Sequence, residues 1–262
     1  MSDIHPQVFL IARPSIDWGE LTRYLNMVNG GAWEERTQRQ NSADGERLVE
    51  FMGRICYRSW APGLNPNVRK IREDSQAYLL NLLSSRHGSV LEHANYSFVF
   101  HNVSRVFTHE LVRHRAGTAV SQESLRYVRL TDIPFQHPEF VLADPALIAA
   151  ANDLLKRMEQ FQELVVETTG VDGAGMPFHR KKEITSAARR YAPDGLATSL
   201  GWTANIRALR HVVAMRTDPS AEDEIRRVFD QVGVLMRREL PALFADFSRD
   251  ETGWWRPEHP KV

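Results

Sequence analysis

Arg113-His114-Arg115 is followed, after a run of small residues, by Ser121-Gln122-Glu123-Ser124-Leu125-Arg126-Tyr127. Hydroxyl, amide, carboxylate and guanidinium groups in so short a span suit a polar ligand bearing phosphate. A competing reading puts Arg113 to Arg115 in the last turn of a helix, where cations complement the macrodipole. That account leaves the polar run after Gly117 unexplained. A second stretch, His87-Gly88-Ser89-Val90-Leu91-Glu92-His93, lies where a helix should give way to a strand, and either caps a turn or holds a cofactor. A third group comprises Arg189 and Arg190 with Asn205, Arg207, His211 and Arg216. On a helix, His211, Val212, Met215 and Arg216 share one stripe, and any cation buried there needs an anionic partner.

Other chemistries lack their residues. The sequence contains no G-x-G-x-x-G, no Walker A loop and no G-x-S-x-G elbow. His109-Glu110-Leu111-Val112-Arg113-His114 imitates the zinc signature H-E-x-x-H, but its histidines stand five apart, about 140° around a helix, and cannot share a metal. No metal site is expected. Cys56 is the single cysteine, so no internal disulfide is available, which fits a reducing compartment. Within Arg54-Ile55-Cys56-Tyr57 it is expected in the core of a packed helix. Lys+Arg and Asp+Glu both number 33, a balance that argues against sequence-independent nucleic-acid binding. Lysine occurs only at positions 70, 156, 181, 182 and 261, so nearly all of the cations are arginine. GC-rich coding explains such a bias, although arginine's planar fork also suits phosphate. Without a basic start before an apolar run, or a run long enough to span a membrane, the chain is expected to be soluble and cytoplasmic.

The elements that must position these residues follow from periodicity. Gln7 to Ala12, Asn95 to Val103 and Thr198 to Thr203 read as strands. Leu48 to Cys56, Ser75 to Arg86, Ala146 to Thr169, Lys181 to Tyr191, Ile206 to Met215 and Ala221 to Phe247 (broken at Pro241) read as helices. Ser104 should cap a helix through Phe107, Leu111 and Val112 that stops near Gly117. The polar stretch from Gly30 to Gly45 reads as a loop or mobile insertion. One α+β domain spanning residues 1–262, with helices around a small sheet, is the expectation.

Taken together, Arg113-His114-Arg115 with Ser121-Gln122-x-Ser124-x-Arg126-Tyr127 resembles the signature of the flavin-dependent thymidylate synthases. The similarity extends to Val49-Glu50-Phe51, Gly53-Arg54 and Cys56-Tyr57, to the histidine-containing loop His87 to His93, and to Thr108-His109-Glu110-Leu111. In the second half it includes Arg189 with Pro193, Asn205-x-Arg207, Ala214-Met215-Arg216, Glu224-Ile225-Arg226-Arg227 and Phe244-Ala245-Asp246-Phe247. The matching stretches are residues 48–130 and 178–248.

That resemblance implies the family's fold and a homotetramer with active sites at subunit interfaces, each binding FAD. It implies transfer of a methylene from 5,10-methylenetetrahydrofolate to C5 of a uracil nucleotide (dUMP to dTMP), with flavin reduced by NADPH supplying hydride and no cysteine nucleophile. By position, Ser89, Glu92, Arg113, His114, Arg115, Asn205, Arg207 and His211 should contact flavin. Gln122, Ser124, Arg126, Arg189 and Arg216 should hold the nucleotide, with Arg126 and Arg189 on its phosphate and Arg216 against the uracil as a catalytic cation. His87 should act near flavin and folate, and Ser124 is a positioning residue.

Two departures stand out. Eight residues, Ala116 to Glu123, separate Arg-His-Arg from the serine where the family has seven, an insertion that could bulge the wall around the sugar. Ser220 stands where a histidine is usual. The insertion motivates an alternative acceptor, UMP, as for a UMP C5-methylase of nucleoside-antibiotic biosynthesis with the same cofactors; a hydroxymethyl product is a further variant.

Overall fold

The computed structural model describes residues 4–68, 70–125 and 134–262. In chain order these form β1 (Gln7–Ala12), α1 (Trp18–Met27), α2 (Gly31–Arg39), α3 (Asp44–Tyr57), α4 (Ser75–Ser84), β2 (Asn95–Ser104), α5 (Arg105–Leu111) and β3 (Thr118–Gln122). There follow α6 (Glu139–Leu142), α7 (Pro145–Thr169), α8 (Phe178–Ala188), β4 (Ala197–Asn205), α9 (Ile206–Arg216), α10 (Asp223–Glu239), β5 (Phe247–Arg249) and β6 (Trp255–Pro257). One sheet has the order β1-β2-β4-β3, and β5 pairs antiparallel with β6, Phe247 opposite Pro257. This is the expected α+β mixture of helices and a small sheet. Among the described residues no helix is long and apolar enough to cross a membrane, and no group of three or more His, Cys, Asp and Glu could hold a metal.

The chain divides into two compact units. The first comprises residues 1–7, 99–113 and 120–201. Here Phe100 packs against Phe107, and Ser104 caps α5 by accepting from the Phe107 amide at 3.1 Å. Asp144 caps α7 ahead of Pro145, yet only Leu155 of its 25 residues is buried. Leu147, Leu154 and Leu164 of α7, with Phe140 and Phe178 nearby in sequence, are exposed.

The second unit comprises residues 8–98, 114–119 and 202–262. Its core includes Phe98, Trp202 and Phe229, and a further cluster of Leu25, Trp33, Phe51 and Trp60. The stretch from Gly30 to Gly45 is therefore not a loop: most of it is α2. Trp33 and Thr37, four residues apart, both turn inward, as one face of a helix requires. Trp33 Nε1 donates to Glu50 Oε1 at 2.8 Å, and Arg54 Nε donates to the same oxygen at 2.8 Å. Arg54 also donates to the carbonyls of Ser59 and Arg72 and stacks over Tyr78. Both side chains of the Glu50–Arg54 pair are 1% exposed. Those family-resembling residues thus form a buried structural network. Cys56, expected in the core, is exposed, because it lies on the outer face of α3 beside exposed Ile55 and Tyr57.

Candidate active site

In the second unit, β4 delivers Asn205 to the start of α9. Asn205 Oδ1 accepts from the Ala208 amide at 2.8 Å and so caps the helix. The exposed face of α9 then presents Arg207, Ala208, His211, Ala214 and Met215 to a cavity of about 680 Å³. That volume suits a cofactor-sized ligand. Glu92, Leu91, Ala116 and Gly117 complete much of its wall. Arg207 Nη1 donates to Glu92 Oε1 at 2.6 Å.

The stretch that carries the additional residue, Ala116 to Glu123, comprises the turn after Arg115 and β3. Gly117 adopts φ +70°, and its carbonyl accepts from the Asn205 amide at 3.0 Å. A Cβ at Gly117 would stand 2.4 Å from Asn205 Nδ2, so only glycine combines this φ with so close an approach. Ala116 and Gly117, at the start of that stretch, face the cavity along α9. Within the cavity region the donors suit a dinucleotide: a helix N-terminus and a guanidinium favour phosphates.

At the other end of α9, Arg216 Nε donates to His114 Nε2 at 2.8 Å. The imidazole is half-buried, and burial, then Arg216, then His211 push its pKa down from 6.5 to about 4. His114 is therefore neutral near pH 7, with Nε2 accepting and the ring proton on Nδ1. His211 lies edge-on to it, ring centres 6.2 Å apart. The Thr118 hydroxyl donates to the His114 carbonyl at 2.5 Å and ties this residue to β3. Arg115 and Ser89 are exposed. Arg113 to Arg115 do not sit in a last helical turn, since α5 ends at Leu111 and the chain turns away to reach β3.

His87 begins the short 3-10 turn Gly88–Glu92. Its ring lies 5.8 Å from that of Tyr57, beside a second cavity of about 260 Å³ that Lys70, Arg72 and Asn81 also line. Ser220 is turned toward Asp218, whose Oδ1 accepts from its amide at 2.8 Å and its hydroxyl at 2.6 Å.

The first unit carries Arg113, Gln122, Ser124 and Arg189. Gln122 Nε2 donates to Thr108 Oγ1 at 3.0 Å, and Thr108 donates onward to the Arg105 carbonyl at 3.0 Å, which orients the amide at the end of β3. Ser124 is half-buried; Arg113 and Arg189 are exposed. Arg105 has its pKa lowered by burial and then by the neighbouring Arg189 charge, and among the described residues its buried Nε has no hydrogen-bond partner. Two adjacent guanidiniums of this kind suit an anion. Arg105 escaped the sequence reading because one arginine at a helix start carries no spacing signal. Arg126, expected on the phosphate, lies outside the described residues.

Comparison with known proteins adds an independent finding. A family model described as thymidylate synthase complementing protein matches residues 39–242. A flavin-dependent thymidylate synthase of Mycobacteroides abscessus is 35% identical over 246 residues, covering 90% of this chain and 85% of that protein. Those of Mycolicibacterium gilvum (38% over 208 residues) and Mycobacterium leprae (37% over 214) each span 78% of this chain and 80% of the relative.

Proposed function

The chain belongs to the flavin-dependent thymidylate synthase family, whose members are methyltransferase-type flavoenzymes, and on that premise we propose that it methylates C5 of dUMP to give dTMP. FAD is the cofactor, 5,10-methylenetetrahydrofolate the carbon donor and NADPH the reductant. The observation that carries this reading is the convergence of Asn205, Arg207, His211 and Glu92, all family flavin positions, on one ligand-sized cavity. Relatives named for thymidylate synthesis do not favour the UMP alternative.

When bound and reduced by NADPH, the flavin would supply the hydride that completes the methyl group. The chain's own residues bind and orient. Arg207, held by Glu92, and the N-terminus of α9 receive the cofactor phosphates, and Gly117 lets the Asn205 amide sit close against its backbone. Ser89, Arg113, His114, Arg115 and His211 add further flavin contacts. Arg216 faces the uracil, where a fixed cation stabilises negative charge developing on the ring. Neutral His114 accepts from Arg216 Nε and fixes the guanidinium without competing for the anion. Arg126 and Arg189 take the nucleotide phosphate, with Arg105 beside Arg189. Gln122 and Ser124 set the nucleotide's position, and His87 acts on the folate side.

The whole chain serves as one catalytic domain within a homotetramer whose active sites form at subunit interfaces. Exposed Phe140, Leu154, Leu164 and Phe178 support burial of that surface in an assembly. Replacing Arg216 by Ala should abolish dTMP formation while leaving FAD bound. Turnover at the unmodified rate would remove Arg216 from the mechanism.

A further inference from the structure

Residues 257–262 run along the cavity read above as the flavin site, beyond the span matched by the family model. Pro257, His259, Pro260 and Val262 supply part of its wall. The near end is anchored through Asp246: its carbonyl accepts from the Glu258 amide at 2.9 Å, and its Oδ2 from the His259 amide at 3.2 Å. Asp246 is fixed in turn by Arg210, whose Nη1 and Nη2 reach its two oxygens at 2.8 Å each, with both side chains almost fully buried. At the far end the Val262 main-chain oxygen accepts from Arg207 Nε at 2.9 Å. Arg207 is thus gripped from two sides, by Val262 and by Glu92.

Gly88 permits this contact. A Cβ there would stand 2.3 Å from the Val262 carbonyl carbon and 2.9 Å from Arg207 Nε. With the segment in place the cavity still measures about 680 Å³, so the segment acts as a wall and does not fill the site.

We propose that residues 257–262 form a strap that completes the flavin cavity, holds Arg207 ready for the cofactor phosphates and slows cofactor release. The inference rests on the flavin reading of the cavity. A guanidinium already held by two acceptors gives up less rotamer freedom when an anion arrives, and preorganisation of this kind appears as affinity. Losing the strap should weaken FAD binding about tenfold, or about 1.4 kcal/mol.

The test uses apoprotein titrated with FAD by fluorescence, with release followed by stopped flow. Four forms are compared: the full chain, a deletion of residues 258–262, Gly88→Ala, and the two changes combined. The deletion and Gly88→Ala should each raise the FAD Kd about tenfold, mainly through faster release, and the combination should be no worse than the deletion alone. Unchanged or tighter binding after deletion would overturn the strap, as would additive effects in the combination. Should the deletion fail to fold, wild-type FAD affinity and release in Gly88→Ala would overturn it equally. If the full chain itself binds no FAD, the flavin reading falls and the strap with it.

Discussion

Protonation of His114 is the sharpest electrostatic consequence of the site. Its pKa is pushed from 6.5 to about 4, first by burial and then by Arg216 and His211. Between those two pH values the unfolded chain binds a proton that the native chain refuses. Stability from this group is therefore fully present above pH 6.5 and is lost as pH falls toward 4. The gap formally corresponds to about 3 kcal/mol. Because the ring is half-buried, solvent screening reduces that to about 1–2 kcal/mol. Ring NMR of histidine-labelled protein, assigned with His114→Gln, should give a midpoint near 4. In Arg216→Ala the midpoint should rise but stay below 6.5, since burial remains the larger cause. Urea unfolding at pH 7 and pH 5 should show a greater loss for the native protein than for His114→Gln. A midpoint at or above 6.5 would refute the neutral acceptor and the fixed geometry of Arg216 built on it.

Other substitutions test other parts of the account. Gly117→Ala should cost about 2–3 kcal/mol in urea unfolding, combining a left-handed backbone strain of about 1–2 kcal/mol with a weakened Asn205 cap worth about 1 kcal/mol, and should also weaken FAD binding. Arg54→Ala should cost about 3–5 kcal/mol, because it strands the Glu50 carboxylate in a dry interior; a change under about 1 kcal/mol would mean that the pair is more hydrated than its burial indicates. Cys56→Ser should leave steady-state turnover unchanged, since the exposed thiol has no place in the mechanism.

Much of this architecture was legible because strong periodicity coincides with clear stops. Asn95 to Ser104 alternates bulky and polar residues and forms β2, and Asp144-Pro145 announces the start of α7. The helix at Gly31–Arg39 was hidden, as its composition is polar and only Trp33 and Thr37 turn inward. Its stability comes from tertiary packing and from the Trp33–Glu50 hydrogen bond, neither of which is a local signal. Cys56 was misjudged for a related reason: apolar neighbours on a helix do not reveal which face meets the core. Of the site, residue types were readable but pairings were not. Nothing in the spacing links His114 to Arg216, 102 positions apart, or Gly117 to Asn205. The 257–262 segment carries no motif, and its place along the cavity follows from the anchoring of Asp246 by Arg210.

The most direct test of the central claim is a competition assay. Purified protein with bound FAD receives NADPH, 5,10-methylenetetrahydrofolate and equal dUMP and UMP, and products are identified by mass spectrometry. The account predicts dTMP as the dominant product. Predominant 5-methyl-UMP, or no methylated nucleotide despite bound FAD, would contradict it.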